Sequence, residues 1–208
     1  MVMLPGMNLF FDACRARLAR EGVKLDHDLF VRYLFGHSLT RGLAALIEKA
    51  GKSAEAAALA ADCNAAYAAA LQGGGGKTHE GLRTFIQDVA GRGVKVGLIT
   101  QLADDVAKQV FAGVLGERVV VVTESPATVC VHGWEGWRRA CRKLQLRERL
   151  CVAVASPASS RGALTAAMRV VAVTNPMQDF VDCSGVDVMA DTFSAPVRAS
   201  VLALLKLT

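Results

Sequence analysis

The hydrophobic pattern of this 208-residue chain changes character after residue 72. Up to that point apolar residues recur at helical spacing, in NLFFDACRARLAREG, DHDLFVRYLFG, SLTRGLAALIEKAG and the alanine-rich SAEAAALAADCNAAYAAALQ. Spacing of that kind lays an apolar stripe along one side of each segment and predicts a small bundle of helices. Asp26 and Ser53 carry the short side-chain oxygen that satisfies a free amide at a helix start, and Gly22, Gly36 and Gly51 stand where such helices would stop. The glycines at 73–76 offer neither packing nor helix propensity, so they are expected to end the bundle and act as a hinge.

Beyond the hinge the pattern becomes short, β-branched apolar runs: VKVGLI at 94–99, RVVVV at 118–122, LCVAVA at 150–155, RVVAVT at 169–174 and VDVM at 186–189. Helical stretches are expected between and after them, near 82–92, 103–114, 134–146, 159–168 and 195–205. A strand that is apolar at almost every position must be covered on both faces, and alternation with helices predicts a doubly wound, Rossmann-like parallel sheet. The fold class expected is therefore α/β, with a helical bundle at 9–72, a glycine-rich hinge at 73–80 and an α/β core at 81–208.

Composition adds exclusions. Apolar residues make up 52% and charged residues 21% of the chain, the balance of a packed globular protein rather than a disordered one. The net charge of +5 raises nucleic acid as a partner, but the cations are scattered. Their densest group, Arg138, Arg139, Arg142, Lys143, Arg147 and Arg149, is expected on the solvated face of a helix starting near Trp134, without the interleaved aromatics that stack on bases. No nucleic-acid partner is expected. The six cysteines form no CxxC pair and have no histidine at metal-ligand spacing, and most sit in apolar or helical runs, where they read as small buried hydrophobes in a reducing cytoplasm. No apolar run approaches the roughly 20 residues of a membrane span, and MVMLPGMNLF lacks a basic flank and a cleavage site. Neither membrane insertion nor export is expected.

Candidate chemistry is sparse. GGGGKT resembles a phosphate-binding P-loop, but that motif needs a glycine at position 71, which is Leu71, and a strand before it rather than a helix. Thr100 closes the first clear strand and is followed by Gln101, at the end of the sheet where open α/β folds bind ligands. Its hydroxyl, with the amides of residues 101–104, would hold a phosphate; equally, it would cap the following helix. Ser156 and Ser159 follow a later strand without the GxSxG elbow of a serine nucleophile. His27, His37, His79 and His132 gather no ligand cluster beyond Asp26 and Asp28 beside His27, and are expected at the surface.

Several segments together resemble the haloacid dehalogenase superfamily, in the branch of β-phosphoglucomutase and phosphoglycolate phosphatase-like proteins whose helical cap is inserted after the first strand. They are LFFDACRARLAREGVKLDHDLFVRYLFGHS in the cap, GLRTFIQDVAGRGVKVGLIT leading into the second motif, SPASSRGALTAAMRVVAVTNP around the fourth, and VDVMADTFSAPVRASVLALL at the end. The resemblance spans nearly the whole chain and implies a cap at 9–72 on an HAD-like core. It also implies a DxD pair, one Asp taking the phosphoryl group and the other serving as acid and base, a Lys countercharge, and acids holding Mg²⁺.

This chain departs from that set. No Asp precedes Asp12, and residues 1–8 align as a remnant of the first core strand. Thr100 matches the phosphate-binding Ser or Thr, but Val131 or His132 stands where the Lys is expected, and Val154 and Ala155 replace the acids before SP. Phosphoryl transfer needs nucleophile, countercharge and metal together. The expectation is a non-catalytic binding or regulatory module with no cofactor, its partner a small phosphorylated ligand or a protein.

Two alternatives stand beside it. One is an enzyme of altered, metal-independent chemistry on a phosphorylated small molecule. Its actors would be Thr100, Gln101, Ser156 and the cap loop Gly36, His37, Ser38, with Arg41 either an anion ligand or a plain surface charge. The other is a structural partner whose incomplete sheet is completed by another chain. Oligomeric state is left open by the sequence.

Overall fold

The computed structural model describes residues 6–75, 81–112, 119–123, 129–174, 178–191 and 193–206. Packing divides the chain into a helical unit, Pro5–Lys77 with Ser125–Val131, and a core unit, Met1–Leu4, Thr78–Glu124 and His132–Thr208.

The helical unit contains α1 (Gly6–Arg20), α2 (His27–Tyr33), α3 (Leu39–Lys49) and α4 (Ala56–Ala70). Asp26 caps α2 as expected, its Oδ1 accepting from Leu29 N at 2.9 Å. Ser53 does not cap α4: that helix starts at Ala56 behind Glu55, whose extended backbone (φ −75°, ψ 105°) brings the chain into the helix two residues later. Gly22, Gly36 and Gly51 all have positive φ, the left-handed conformation that ends a helix at little steric cost.

The expected stop at Gly73 is also displaced. α4 runs on through a π-helical turn, Leu71–Gly75. Leu71 is buried and anchors this wider turn, while a Cβ on Gly73 would meet nothing within 4 Å. Gly76 and residues 77–80 of the expected hinge, including His79, lie outside the described residues.

The apolar stripes of the four helices meet as the periodicity predicts. α4 packs on α1 and α3, and α2 on α3. Leu18, Phe30, Leu34 and Leu43 are fully buried, each such side chain contributing about 1.5–3 kcal/mol of transfer free energy. Phe10 and Phe11 both pack edge-on to Phe30. Gly42 lets α3 approach the end of α2, where a Cβ would lie 2.1 Å from the Tyr33 carbonyl oxygen. Val129 joins this unit through Gly36 N donating to Val129 O (3.0 Å) and Val129 N donating to His37 O (2.9 Å). The core expected over 81–208 is therefore interrupted at 125–131.

In the core unit the elements alternate as the apolar runs require: α5 (Leu82–Gly91), β1 (Val96–Thr100), α6 (Asp104–Phe111), β2 (Val119–Thr123), α7 (Trp134–Leu144), β3 (Val152–Ala155), α8 (Pro157–Thr165), β4 (Arg169–Val173), β5 (Val188–Ala190) and α9 (Ala195–Leu204). All pairings are parallel. One face is set by Ile99, Val122, Ala153, Ala155 and Val170, which form a buried cluster with Trp137, Ala140 and Cys141 of α7 and Ala163 of α8. The intervening Leu98, Val154 and Val171 point to the opposite face and are buried too, as a sheet covered on both sides demands. The described strands nevertheless form two sheets, β1-β2 and β3-β4-β5, with no described strand joining β1 to β3.

Candidate functional site

Every strand of β1 to β4 delivers a hydroxyl at its carboxyl end: Thr100 and Thr123 as the last residues of β1 and β2, Ser156 and Thr174 directly after β3 and β4. All four are engaged in hydrogen bonds within the core unit. Thr100 Oγ1 accepts from Leu102 N at 3.2 Å, closing the turn that follows β1. It does not cap α6, which begins at Asp104 behind Ala103. Asp104 and Asp105 already occupy the first turn of that helix, where their negative charge complements the helix dipole and opposes a bound anion. Thr123 Oγ1 donates to Asp104 Oδ1 (2.6 Å) and Thr174 Oγ1 to Asp191 Oδ1 (2.8 Å). Gln101 is half-buried beside Thr100.

Ser156 is the centre of a tighter arrangement. It precedes α8, its carbonyl accepts from the amides of Ser159 and Ser160, and its Oγ donates to Ser159 Oγ at 3.2 Å. Ser159 Oγ in turn accepts from His132 N (3.1 Å), tying the start of the α7 segment to α8. Ser160 Oγ donates back to Pro157 O. The buried amide of Gln178 reaches across to accept from Ala158 N at 3.2 Å, satisfying one of the free donors at the start of α8. Gln178, Ser160, Thr123 and Thr174 were not legible as site residues. Nothing in the local pattern of QDF or VVT distinguishes a buried, bonded polar group from a loop residue.

The remaining candidates belong to the helical unit. Gly36 and His37 hold Val129 through backbone bonds, and the His37 side chain is exposed. Ser38 precedes α3 without a side-chain capping bond, and Arg41 is exposed in the first turn of that helix. Ser38 O accepts from Gly42 N at 2.9 Å.

Val154, Ala155 and His132 are the residues that the resemblance sets against the family's charged positions. Val154 and Ala155 are buried in β3, and His132 holds Ser159 through its backbone. A Mg²⁺ site needs several carboxylate oxygens, and these residues have none to give. Among the described residues no group of three or more His, Cys, Asp or Glu side chains could hold a metal. Around Ser156 the arrangement offers neutral hydroxyl and amide groups, whereas the Asp104 and Asp191 carboxylates stand at Thr123 and Thr174. Elsewhere the basic group behaves as a solvated face: Arg138, Arg139, Arg142, Lys143, Arg147 and Arg149 are exposed, and Arg138 pairs with Glu148 at 3.2 Å. No helix among the described residues is long and apolar enough to cross a membrane.

No protein-family model and no curated protein matches this sequence. Solved structures do. A HAD hydrolase of family IA, variant 3, from Entamoeba histolytica superposes with a TM-score of 0.76 at 14% identity, covering 99% of this chain and 95% of its own. CbbY from Rhodobacter sphaeroides, solved in complex with phosphate, gives 0.74 at 16% identity over 99% and 95%. β-Phosphoglucomutase from Clostridium difficile gives 0.70 at 15% identity over 95% and 91%. At these identities the likeness shows architecture: the chain has the haloacid dehalogenase-like fold, an α/β core of parallel strands with a helical cap.

Proposed function

We propose that this chain is a non-catalytic binding or regulatory module on the HAD-like fold, taking a small phosphorylated ligand at the carboxyl end of β3, away from the Asp104 and Asp105 carboxylates that open α6. The observation that carries this reading is the linked set Ser156, Ser159 and His132 N at the end of β3, neutral and mutually hydrogen-bonded. The partners of Ser156 and Ser159 are a hydroxyl and a backbone amide, and neither is the general base that an activated nucleophile requires. The same logic covers Thr100, whose oxygen closes its own turn. Buried Val154 and Ala155 support the reading, because Mg²⁺-assisted transfer has no carboxylates to use there. The six cysteines, all free thiols, fit a reducing cytoplasm.

The test uses the full chain. Calorimetric titration with inorganic phosphate, beside hydrolysis of p-nitrophenyl phosphate with and without Mg²⁺, separates binding from turnover. The expected result is phosphate binding weakened in Ser156→Ala, with no Mg²⁺-dependent hydrolysis above the Thr100→Val background. Mg²⁺-dependent hydrolysis that Thr100→Val abolishes would overturn the non-catalytic reading, and absence of phosphate heat would remove the phosphorylated ligand from it.

A further inference from the structure

Where α7, the segment that follows it and the end of α8 meet, the surface of the core unit carries an open groove of about 560 Å³. Its lining combines Trp134 and Arg138 of α7 with Arg147, Glu148 and Arg149, and the small side chains of Ala166 and Ala167 just past α8 leave the space between them. Trp137, one turn along α7, is buried, whereas Trp134 is 43% exposed. An indole left in water is apolar surface that a partner gains by covering. Arg138 is already committed: its Nε donates to Glu148 Oε1 at 3.2 Å, and its guanidinium lies 5.5 Å from the centre of the Trp134 ring. Arg147 and Arg149 are exposed, and neither guanidinium has a hydrogen-bond or ion-pair partner among the described residues. They are not needed to close α8 either, because the carbonyls of Gly162, Ala163 and Leu164 accept from the amides of Ala166, Met168 and Ala167.

We propose that this groove docks an acidic peptide segment of another protein, with an apolar side chain of that segment on Trp134 and its carboxylates on Arg147 and Arg149. The planar fork of a guanidinium matches a carboxylate in two parallel hydrogen bonds, and Trp and Arg are the side chains that protein interfaces concentrate. The groove is too open to enclose a small anion on most sides, as ligand pockets do. A peptide brings the rest of its own chain to cover it. A nucleic acid fits less well: Glu148 stands between the two free arginines in sequence, where it repels a continuous row of phosphates. Arg138 also covers one face of the ring on which a base would stack. The groove is separate from the hydroxyl set at Ser156, since Ser156 precedes the first turn of α8 and the groove lies at its last. The proposal therefore stands whether or not that set holds a phosphate.

Fluorescence anisotropy of the full chain with the fluorescein-labelled peptide GEELEEG tests this. At an ionic strength of about 0.15 M this peptide is expected to bind, and the charge-reversed GKKLKKG is not. Arg147→Glu combined with Arg149→Glu should weaken GEELEEG at least about tenfold. Arg83→Glu combined with Lys52→Glu makes the same charge change on exposed cations outside the groove, and should leave binding within about twofold. Replacing the peptide's leucine by glycine should weaken binding to wild type, and that difference should vanish in Trp134→Ala, with circular dichroism checking that each variant is folded. No binding of GEELEEG, or equal losses in the two double variants, would overturn the proposal. So would tighter binding of oligo(dT) or of phosphatidylserine vesicles than of the peptide, which points to a nucleic acid or a membrane as the occupant.

Discussion

Replacing Gly162 by alanine opposes two effects of known size. In an ordinary helix interior Gly→Ala gains about 1 kcal/mol, because the backbone loses less entropy on folding. At Gly162, within α8, the added Cβ would lie 2.5 Å from His132 O, 3.0 Å from Gly133 C and 3.2 Å from Trp134 N. All three are backbone atoms, so relief requires the segment before α7 to move. That segment is held by His132 N donating to Ser159 Oγ. Overpacking of this kind costs about 1–3 kcal/mol, and loss of the hydrogen bond adds about 1 kcal/mol. After the helix gain is subtracted, the net destabilisation expected is about 1–3 kcal/mol, and each kcal/mol lowers Tm by roughly 2–4 °C in a chain of this size. Urea denaturation followed by circular dichroism measures it. Gly91→Ala, at the end of α5 where a Cβ meets nothing within 4 Å, is the control and is expected to be neutral or slightly stabilising. Combining Gly162→Ala with Ser159→Ala should cost less than the sum of the two, because both break the same link. A Gly162→Ala protein as stable as wild type would refute the close approach of α8 to His132.

Phe30→Ala removes a fully buried ring packed against Phe10 and Phe11 and should cost about 3–5 kcal/mol in chemical denaturation; a cost below about 1 kcal/mol would contradict the packing of the helical unit. Glu148 has its carboxyl held below the usual range by its own backbone amide and then by Arg138. With the folded pKa depressed, its contribution is present above the unfolded value of about 4.3 and is lost as pH falls through the folded value. Glu148→Gln should flatten that acid limb of a stability-against-pH curve, and an unchanged limb would refute the assignment. Burial pushes the Cys130 thiol up to about 12, so the folded chain keeps a proton that the unfolded chain releases from about pH 8.5 upward. Stability should therefore fall above that pH, less so in Cys130→Ala, and iodoacetamide should label Cys130 far more slowly in the folded chain than in urea.

The sequence by itself determined the two-part organisation, the helical character of the first part and the strand runs of the second. Those features rest on residues within three or four positions of one another: the stripe through LTRGLAALIEK, the Asp26 cap, the unbroken apolar run RVVAV. Sequence also placed Thr100 and Ser156 at strand ends, because strand boundaries follow the same local pattern. It misplaced the α4 start and the stop at Gly73, where neither Ser53 nor glycine propensity outweighed the register set by packing of Leu59 and Leu71.

Tertiary structure alone decided what those residues do. His132 and Ser159 are 27 positions apart, and Gln178 lies 20 positions from the amide it satisfies. The bridge from Phe35 to Val129 draws a piece of the second part into the first. Partners so distant leave no period in the chain, since either residue would look the same in an open loop. The strand neighbours are of the same kind, β1 beside β2 and β4 between β3 and β5: strand propensity is local, whereas strand neighbourhood depends on which edges meet in space.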